Sequence, residues 1–125
     1  MRRAALVFLL VAGTAFAAPP TSGELQWSDW YRSLRVPDAE GYPTAVGCCD
    51  LSDCRPVASR VGRHGYEALL TPQTHSQFGI LDPTWVEVPQ SAILQTTHNP
   101  DGTGRAVVCW MPTRGVMCFV RPAEY

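Results

Sequence analysis

Five cysteines in two groups constrain this chain more than any other feature of its sequence. Cys48, Cys49 and Cys54 lie in the run Gly-Cys-Cys-Asp-Leu-Ser-Asp-Cys-Arg-Pro, and Cys109 and Cys118 lie in a short apolar stretch near the C-terminus. All five follow a segment that reads as an export signal, so they meet an oxidising compartment in which cysteines become disulfides. The number is odd. At least one sulfur is left free, shared with a second chain, or bound to something else.

The export signal is read from Arg2 and Arg3, the apolar run from Ala4 to Ala12, and the small-x-small pattern Ala15-Phe16-Ala17, which predicts cleavage after Ala17. The apolar run falls well short of the ~20 residues that a membrane-spanning helix needs. No second such run follows, and no cysteine stands close behind it for lipid attachment. These features predict a signal peptide over 1–17 and a periplasmic or secreted, soluble product of 108 residues, Ala18 to Tyr125. That length fits one small domain, residues 18–125, for which disulfides would supplement the apolar core.

After removal of Arg2 and Arg3, eight Arg face eleven Asp and Glu. This acidic balance argues against general nucleic-acid binding, which depends on a basic surface. All ten basic residues are Arg and none is Lys, which fits a GC-rich coding bias.

Thr21 and Glu24 stand in the relation of a capping box, and Trp27, Trp30, Tyr31 and Leu34 recur at helical spacing up to Pro37. An amphipathic helix is therefore expected, its aromatic stripe packed on a sheet. The Pro-, Gly- and Asp-rich stretch from Arg35 to Asp53 is expected to be loop. From Pro56 onward the pattern alternates with period two, turning at Gly62-Arg63-His64-Gly65. It predicts a hairpin pairing Val61 with Tyr66, Ser59 with Ala68 and Val57 with Leu70, apolar residues on one face and Arg60 opposite Glu67 on the other. Thr71 to Thr84 reads as surface loop, Trp85 to Val88 as a strand, Pro89 to Leu94 as a helical turn, and Asn99-Pro100-Asp101-Gly102 as a turn.

Ala106 to Met111 and Val116 to Val120 form a last hairpin, apolar on both faces and therefore buried twice. Val107, Met111, Val116 and Val120 are expected on one side, and Val108, Trp110, Met117 and Phe119 on the other. If its loop is the four residues Pro112 to Gly115, Cys109 faces Cys118 and a cross-strand disulfide can form. If the loop has three residues with Gly115 in a bulge, the register slips by one and the two cysteines point apart, each needing a partner from the Cys48 to Cys54 segment. The second bonding pattern is favoured, because tying a distant loop closes a longer stretch of unfolded chain. Cys48 and Cys49 are adjacent, which strains a bond between them.

The expected fold is α+β and mostly β. An N-terminal amphipathic helix packs on a small antiparallel sheet or SH3-like barrel of about five strands, disulfide-linked. The barrel rests on a resemblance of the strand, Trp-Val-x-Val-Pro, helical turn and final strands to small SH3-like barrels. Taken together, Trp27-x-x-Trp30-Tyr31-x-x-Leu34, Cys48-Cys49-x-x-x-Asp53-Cys54-Arg55-Pro56-Val57, Gly65-Tyr66-Glu67, Trp85-x-x-Val88-Pro89 and the C-terminal cysteines resemble a family of small exported, cysteine-containing proteins of GC-rich Gram-negative bacteria. The resemblance implies export and a disulfide-linked domain. It carries over no activity and no catalytic residue.

The residues offer the elements of several chemistries. Cys48, Cys49 and Cys54, with Asp50 and Asp53 nearby and His64, His75 or His98 to complete a site, offer metal ligands, but without Cys-x-x-Cys spacing or a second pair. Redox catalysis lacks Cys-x-x-Cys, and hydrolysis lacks Gly-x-Ser-x-Gly or His-Glu-x-x-His. The three histidines fall in predicted turns or loops, where solvated side chains are the default. No motif indicates a cofactor. The favoured expectation is a binding or interaction module for a protein or small ligand, using aromatic and Arg side chains on loops: Tyr42, Arg55, Arg63, Phe78 and Arg114. The alternative is a metal- or redox-responsive protein using Cys48, Cys49 and Cys54, and a small enzyme of unrecognised site is the third class. If Cys48 or Cys49 is the odd sulfur, it allows a disulfide-linked homodimer.

Overall fold

The computed structural model describes residues 26–123. The expected signal peptide and the Thr21 to Glu24 capping box lie outside them. The remainder is mostly β, with nine strands in three small sheets among the described residues. The first sheet is the pair β1 (Arg35–Pro37) and β2 (Pro43–Gly47). The second has the order β3 (Asp53–Val57), β8 (Ala106–Met111), β9 (Gly115–Val120), β7 (Ile93–Leu94). The third is β4 (Ser59–Gly62), β5 (Gly65–Leu70), β6 (Thr84–Glu87). No barrel closes, which corrects the SH3-like expectation. Three short helices intervene: α1 (Ser28–Ser33), α2 (Cys48–Leu51) and α3 (Pro72–His75).

The β8–β9 hairpin is the centre of the molecule, as its two apolar faces require. On one face Ala106, Val108, Val116 and Phe119 are buried with Val57, Ala68, Leu70, Val88, Ala92 and Ile93, so the β4–β6 sheet covers this side. Tyr66 stacks tilted on Phe119 at 5.3 Å. On the other face Val107, Cys109, Cys118 and Val120 are buried with Leu34 and Cys48, and Trp30 and Tyr31 of α1 pack against them. Trp30, Tyr31 and Leu34 of the aromatic stripe thus form a packing face, although α1 is only six residues long and the chain after Leu34 enters a strand rather than a loop.

The hairpin register explains why neither of its two expected forms describes it. Its loop is three residues long, with Met111 opposite Gly115, whose φ of +72° suits glycine. That geometry alone would send Cys109 and Cys118 to opposite faces. One extra residue on β9, Met117, then makes a bulge between Trp110↔Val116 and Cys109↔Cys118 and restores the facing register. The same bulge moves Val116 to the face of Val108 and Met117 to the face of Val107, correcting the expected sides of both.

The first hairpin pairs as the alternation predicts over Ser59↔Ala68, Arg60↔Glu67 and Val61↔Tyr66. Val57 does not reach Leu70. The chain changes sheets at Ala58, so that Val57 pairs with Ala106 in the second sheet while Ala58 accepts a hydrogen bond from Leu69. Pro56 is tolerated in β3 because that strand is the edge of its sheet. Val61, expected inward, lies in β4 beside the turn and is 77% exposed. The outer side of this sheet carries the Arg60–Glu67 pair at 2.8 Å, with the Arg60 guanidinium 3.9 Å from the Trp85 ring centroid.

Three further segments depart from expectation. Arg35 to Asp53 contains β1, β2 and α2 rather than loop alone. Thr71 to Thr84 contains α3 and a 3-10 turn at Ser76–Phe78. The helical turn at Gln90–Ala92 stops one residue before Ile93, because Ile93 and Leu94 form a parallel pair with Phe119 and Val120.

Truncating Phe119 to Ala should cost about 3 to 5 kcal/mol through loss of buried contacts and the cavity left behind. Val61→Ala should stay within about 0.5 kcal/mol, as at other exposed positions. Urea unfolding of the oxidised protein checks both.

Candidate functional site

Two structural bridges account for four of the five sulfurs. Cys48 bonds Cys118 and Cys54 bonds Cys109, with sequence separations of 70 and 55. This is the pattern favoured from loop closure. Cys54, Cys109 and Cys118 form a row across β3, β8 and β9, since Cys109 is the register partner of both neighbours. Cys109 bonds the edge strand on one side. Cys118 is taken by Cys48, which comes down from α2.

α2 starts where Asp50 caps it: the Gly47 amide donates to the Asp50 carboxylate at 3.2 Å. A Cβ at Gly47 would lie 2.5 Å from Asp50 Oδ2, so a larger residue there would displace the capping carboxylate. The Ser52 hydroxyl donates back to the Cys48 carbonyl at the other end. Consecutive residues on a helix point about 100° apart, which sends Cys48 to Cys118 and Cys49 elsewhere. Cys49 is the free cysteine, half-buried, its thiol donating to the Tyr31 carbonyl at 3.5 Å. Burial pushes its pKa up to about 12, aided by the Asp50 and Asp53 carboxylates and opposed by the Arg55 guanidinium. It is therefore a thiol, not a thiolate, at neutral pH. An intermolecular bridge through it would require the contact with Tyr31 to open.

Cys48, Cys49 and Cys54, the alternative metal set, are not brought together. Cys48 is committed to Cys118, and the sulfurs within 4.8 Å of one another are those of Cys49, Cys54 and Cys109. Two of these form a disulfide and offer no thiolate to a metal in this state.

His75 is fully buried, which corrects the expectation of a solvated loop histidine. Thr71 caps α3, its hydroxyl accepting from the Thr74 amide, and Pro72 occupies the first turn. That Thr-Pro start is a helix signal present in the sequence itself. The ring sits 3.1 Å from the Asp53 carbonyl through Nε2 and 2.9 Å from Thr74 Oγ1 through Nδ1. A carbonyl only accepts, so Nε2 carries the proton and Nδ1 accepts from the Thr74 hydroxyl. Desolvation lowers the His75 pKa, against the opposing pull of the Asp53 carbonyl and carboxylate. His64 and His98 are exposed.

Beside α3 and α1 opens a cleft of about 460 Å³. Trp27 and Tyr31 line it with Pro56, and Arg55, Arg105, Thr74 and Thr103 supply polar groups. Arg55 is held by Asp53, its Nε 3.1 Å from Oδ1, with both side chains largely buried. Asp101, on the same wall, is occupied by its own turn: burial raises its pKa, but hydrogen bonds from the Thr103 hydroxyl and amide, the side chain of Asn99 and the charge of Arg105 together hold it below the usual carboxylate value. A second cleft of about 480 Å³ lies between the β1–β2 turn and residues 94–97 and is lined by Leu34, Pro37 and Tyr42.

The five residues expected to form a contact surface are dispersed over the fold. Arg55 stands on β3, not on a loop, and lines the first cleft; Tyr42 is 69% exposed and lines the second. Arg63 lies in the β4–β5 turn and Arg114 in the β8–β9 turn, both exposed. Phe78 is half-buried, edge-on to Trp110 with centroids 6.0 Å apart. Thr103 and Arg105 carry no signal in the sequence, because only the fold brings the asparagine turn beside α1, and Trp27 is marked there only as part of the aromatic stripe. No protein-family model, curated protein or solved structure matches this chain.

His75 should make stability depend on pH. Its folded pKa lies below the unfolded value of 6.5, so the unfolded chain binds the proton first and stability falls as pH drops through 6.5. The loss ends only below the folded pKa, with a limiting slope of about 1.4 kcal/mol per pH unit. His75→Gln, which keeps a donor for the Asp53 carbonyl, should flatten this slope between about pH 7.5 and 5.5 in urea titrations. An unchanged slope would assign the dependence to other groups.

Proposed function

We propose that this chain is an exported, disulfide-stabilised binding module, and that the cleft between α1, α3 and the Asp101 turn receives a small ligand with a flat apolar part and a carboxylate. The observation that carries this reading is the convergence of the Trp27 and Tyr31 rings with the guanidinium groups of Arg55 and Arg105 on one concavity. Aromatic rings supply flat contact area, and a guanidinium presents planar donors matched to a carboxylate. The Asp53–Arg55 pair and the Asp101 turn hold the polar wall in place without the ligand, which lowers the entropy lost on binding. Two disulfides fit a periplasmic or secreted setting. The acidic balance of the chain leaves the cleft arginines as a local, not a general, attraction for anions.

Amide-resolved NMR titration with indole-3-acetate and benzoate, each beside its neutral amide, tests the reading. The carboxylates should shift the Trp27 indole and the Thr74, Thr103 and Arg105 amides, while the neutral amides bind more weakly. Arg105→Ala should weaken carboxylate binding on the order of tenfold, the value of one charged hydrogen bond. Shifts confined to the Tyr42 cleft, or equal affinity for acid and amide, would contradict it.

A further inference from the structure

The fifth sulfur lies against a disulfide it does not belong to. The Sγ atoms of Cys49, Cys54 and Cys109 lie within 4.8 Å of one another, and Cys54 and Cys109 are already bonded. A thiol adjacent to a disulfide is a nucleophile placed beside its electrophile, since exchange proceeds by attack of one sulfur on another. We propose that these three sulfurs form an exchange centre in which Cys49 attacks Cys109, so that the bridge passes between Cys54–Cys109 and Cys49–Cys109. The Cys49 Sγ–Cys109 Sγ bond forms as the Cys54 Sγ–Cys109 Sγ bond breaks. Cys49 gives up its proton and the departing Cys54 sulfur takes one, so no oxidant or reductant is consumed.

The direction of attack follows from the surroundings of the leaving sulfur. Cys109 is fully buried in the apolar cluster, so expelling it as a thiolate would place a charge among Val107, Val120 and Leu34. Cys54 lies half-buried on the edge strand β3, so its departure keeps the more deeply buried Cys109 sulfur within a bond. Attack on Cys54 would also close a small loop within one segment and leave β8 untied. Attack on Cys109 instead keeps a covalent link from the α2–β3 segment to β8.

Exchange changes what the surface offers. Before it, the free thiol is Cys49, half-buried against the Tyr31 carbonyl. After it, the free thiol is Cys54, next in the chain to Arg55 and Pro56 on the wall of the aromatic cleft. The groups that face Cys49 are the Asp50 and Asp53 carboxylates, the Arg55 guanidinium and the Tyr31 carbonyl. Burial, with the two carboxylates adding to it and Arg55 opposing, keeps the sulfur protonated near neutrality, so exchange is slow there and quickens with rising pH. This inference is independent of the ligand proposed for the cleft.

The test uses the full chain, exported and purified without reductant. Cys54→Ser removes the leaving sulfur and traps the product: denatured-state thiol titration should fall from one free thiol to none, with Cys49 found linked to Cys109. Two free thiols in this variant would overturn the proposal. Should the variant fail to fold, the wild-type protein serves. After incubation at about pH 8.5 and alkylation with N-ethylmaleimide, cleavage before Asp50 and Asp53 and after Arg114 separates the sites. Label divided between Cys49 and Cys54 supports exchange, and label confined to Cys49 overturns it. Cys49→Ser should carry no label on Cys54.

Discussion

Burial of the β8–β9 hairpin on both faces is the constraint from which the rest of this structure follows. A hairpin with Val108 and Phe119 on one side and Val107 and Val120 on the other must be covered twice, or it exposes apolar surface that no small domain can tolerate. The β4–β6 sheet supplies one cover with continuous pairing. The other cover is made of short pieces, α1, β1, β2 and α2, none of which has enough backbone hydrogen bonds or apolar area to hold its own position. The two bridges fall on this weaker side. Cys48 fastens α2 to the centre of β9, and Cys54 fastens the edge strand β3 to β8.

That division explains which parts of the fold were legible in the sequence. Strong period-two patterns with clear turns predicted the β4–β5 register and the doubly buried hairpin, and helical spacing marked Trp30, Tyr31 and Leu34 as a packing face. Local patterns say little about which sheet a strand joins. The run from Val57 to Val61 reads as one strand, yet it bends at Ala58 and belongs to two sheets, a choice fixed by tertiary packing. The Met117 bulge is equally silent in sequence, because a single inserted residue leaves the apolar content of β9 unchanged while reversing the sides of Val116 and Met117. Loop-closure entropy identified the bonding pattern even though the register argument beside it was incomplete. The pairing depends on which segments can reach the hairpin, not on whether its own cysteines face each other.

The candidate site was less legible than the fold. Its polar groups come from β3, α3 and the turn at Asp101, and its rings from α1, so no linear motif contains it. Of its polar groups only Arg55 was anticipated, and as an exposed loop residue instead of a buried partner of Asp53. His75 illustrates the same limit: one buried ring ties α3 to β3 through the Asp53 carbonyl, and its role is set by contacts across 22 positions of sequence. The vicinal cysteine pair also acquires a physical meaning in three dimensions. The helical turn of α2 separates the two sulfurs, giving one to the β9 bridge and the other to the neighbourhood of the β3–β8 bridge.

How the weaker cover is fastened decides whether the hairpin stays buried on both faces. Peptide mapping of the native, acid-quenched protein under non-reducing conditions measures this directly. It should recover Cys48 linked to Cys118 and Cys54 linked to Cys109, with Cys49 as the principal free thiol. Recovery of Cys109 linked to Cys118 would contradict that pairing, because the hairpin would then be bridged to itself and nothing covalent would hold α2 and β3 upon it.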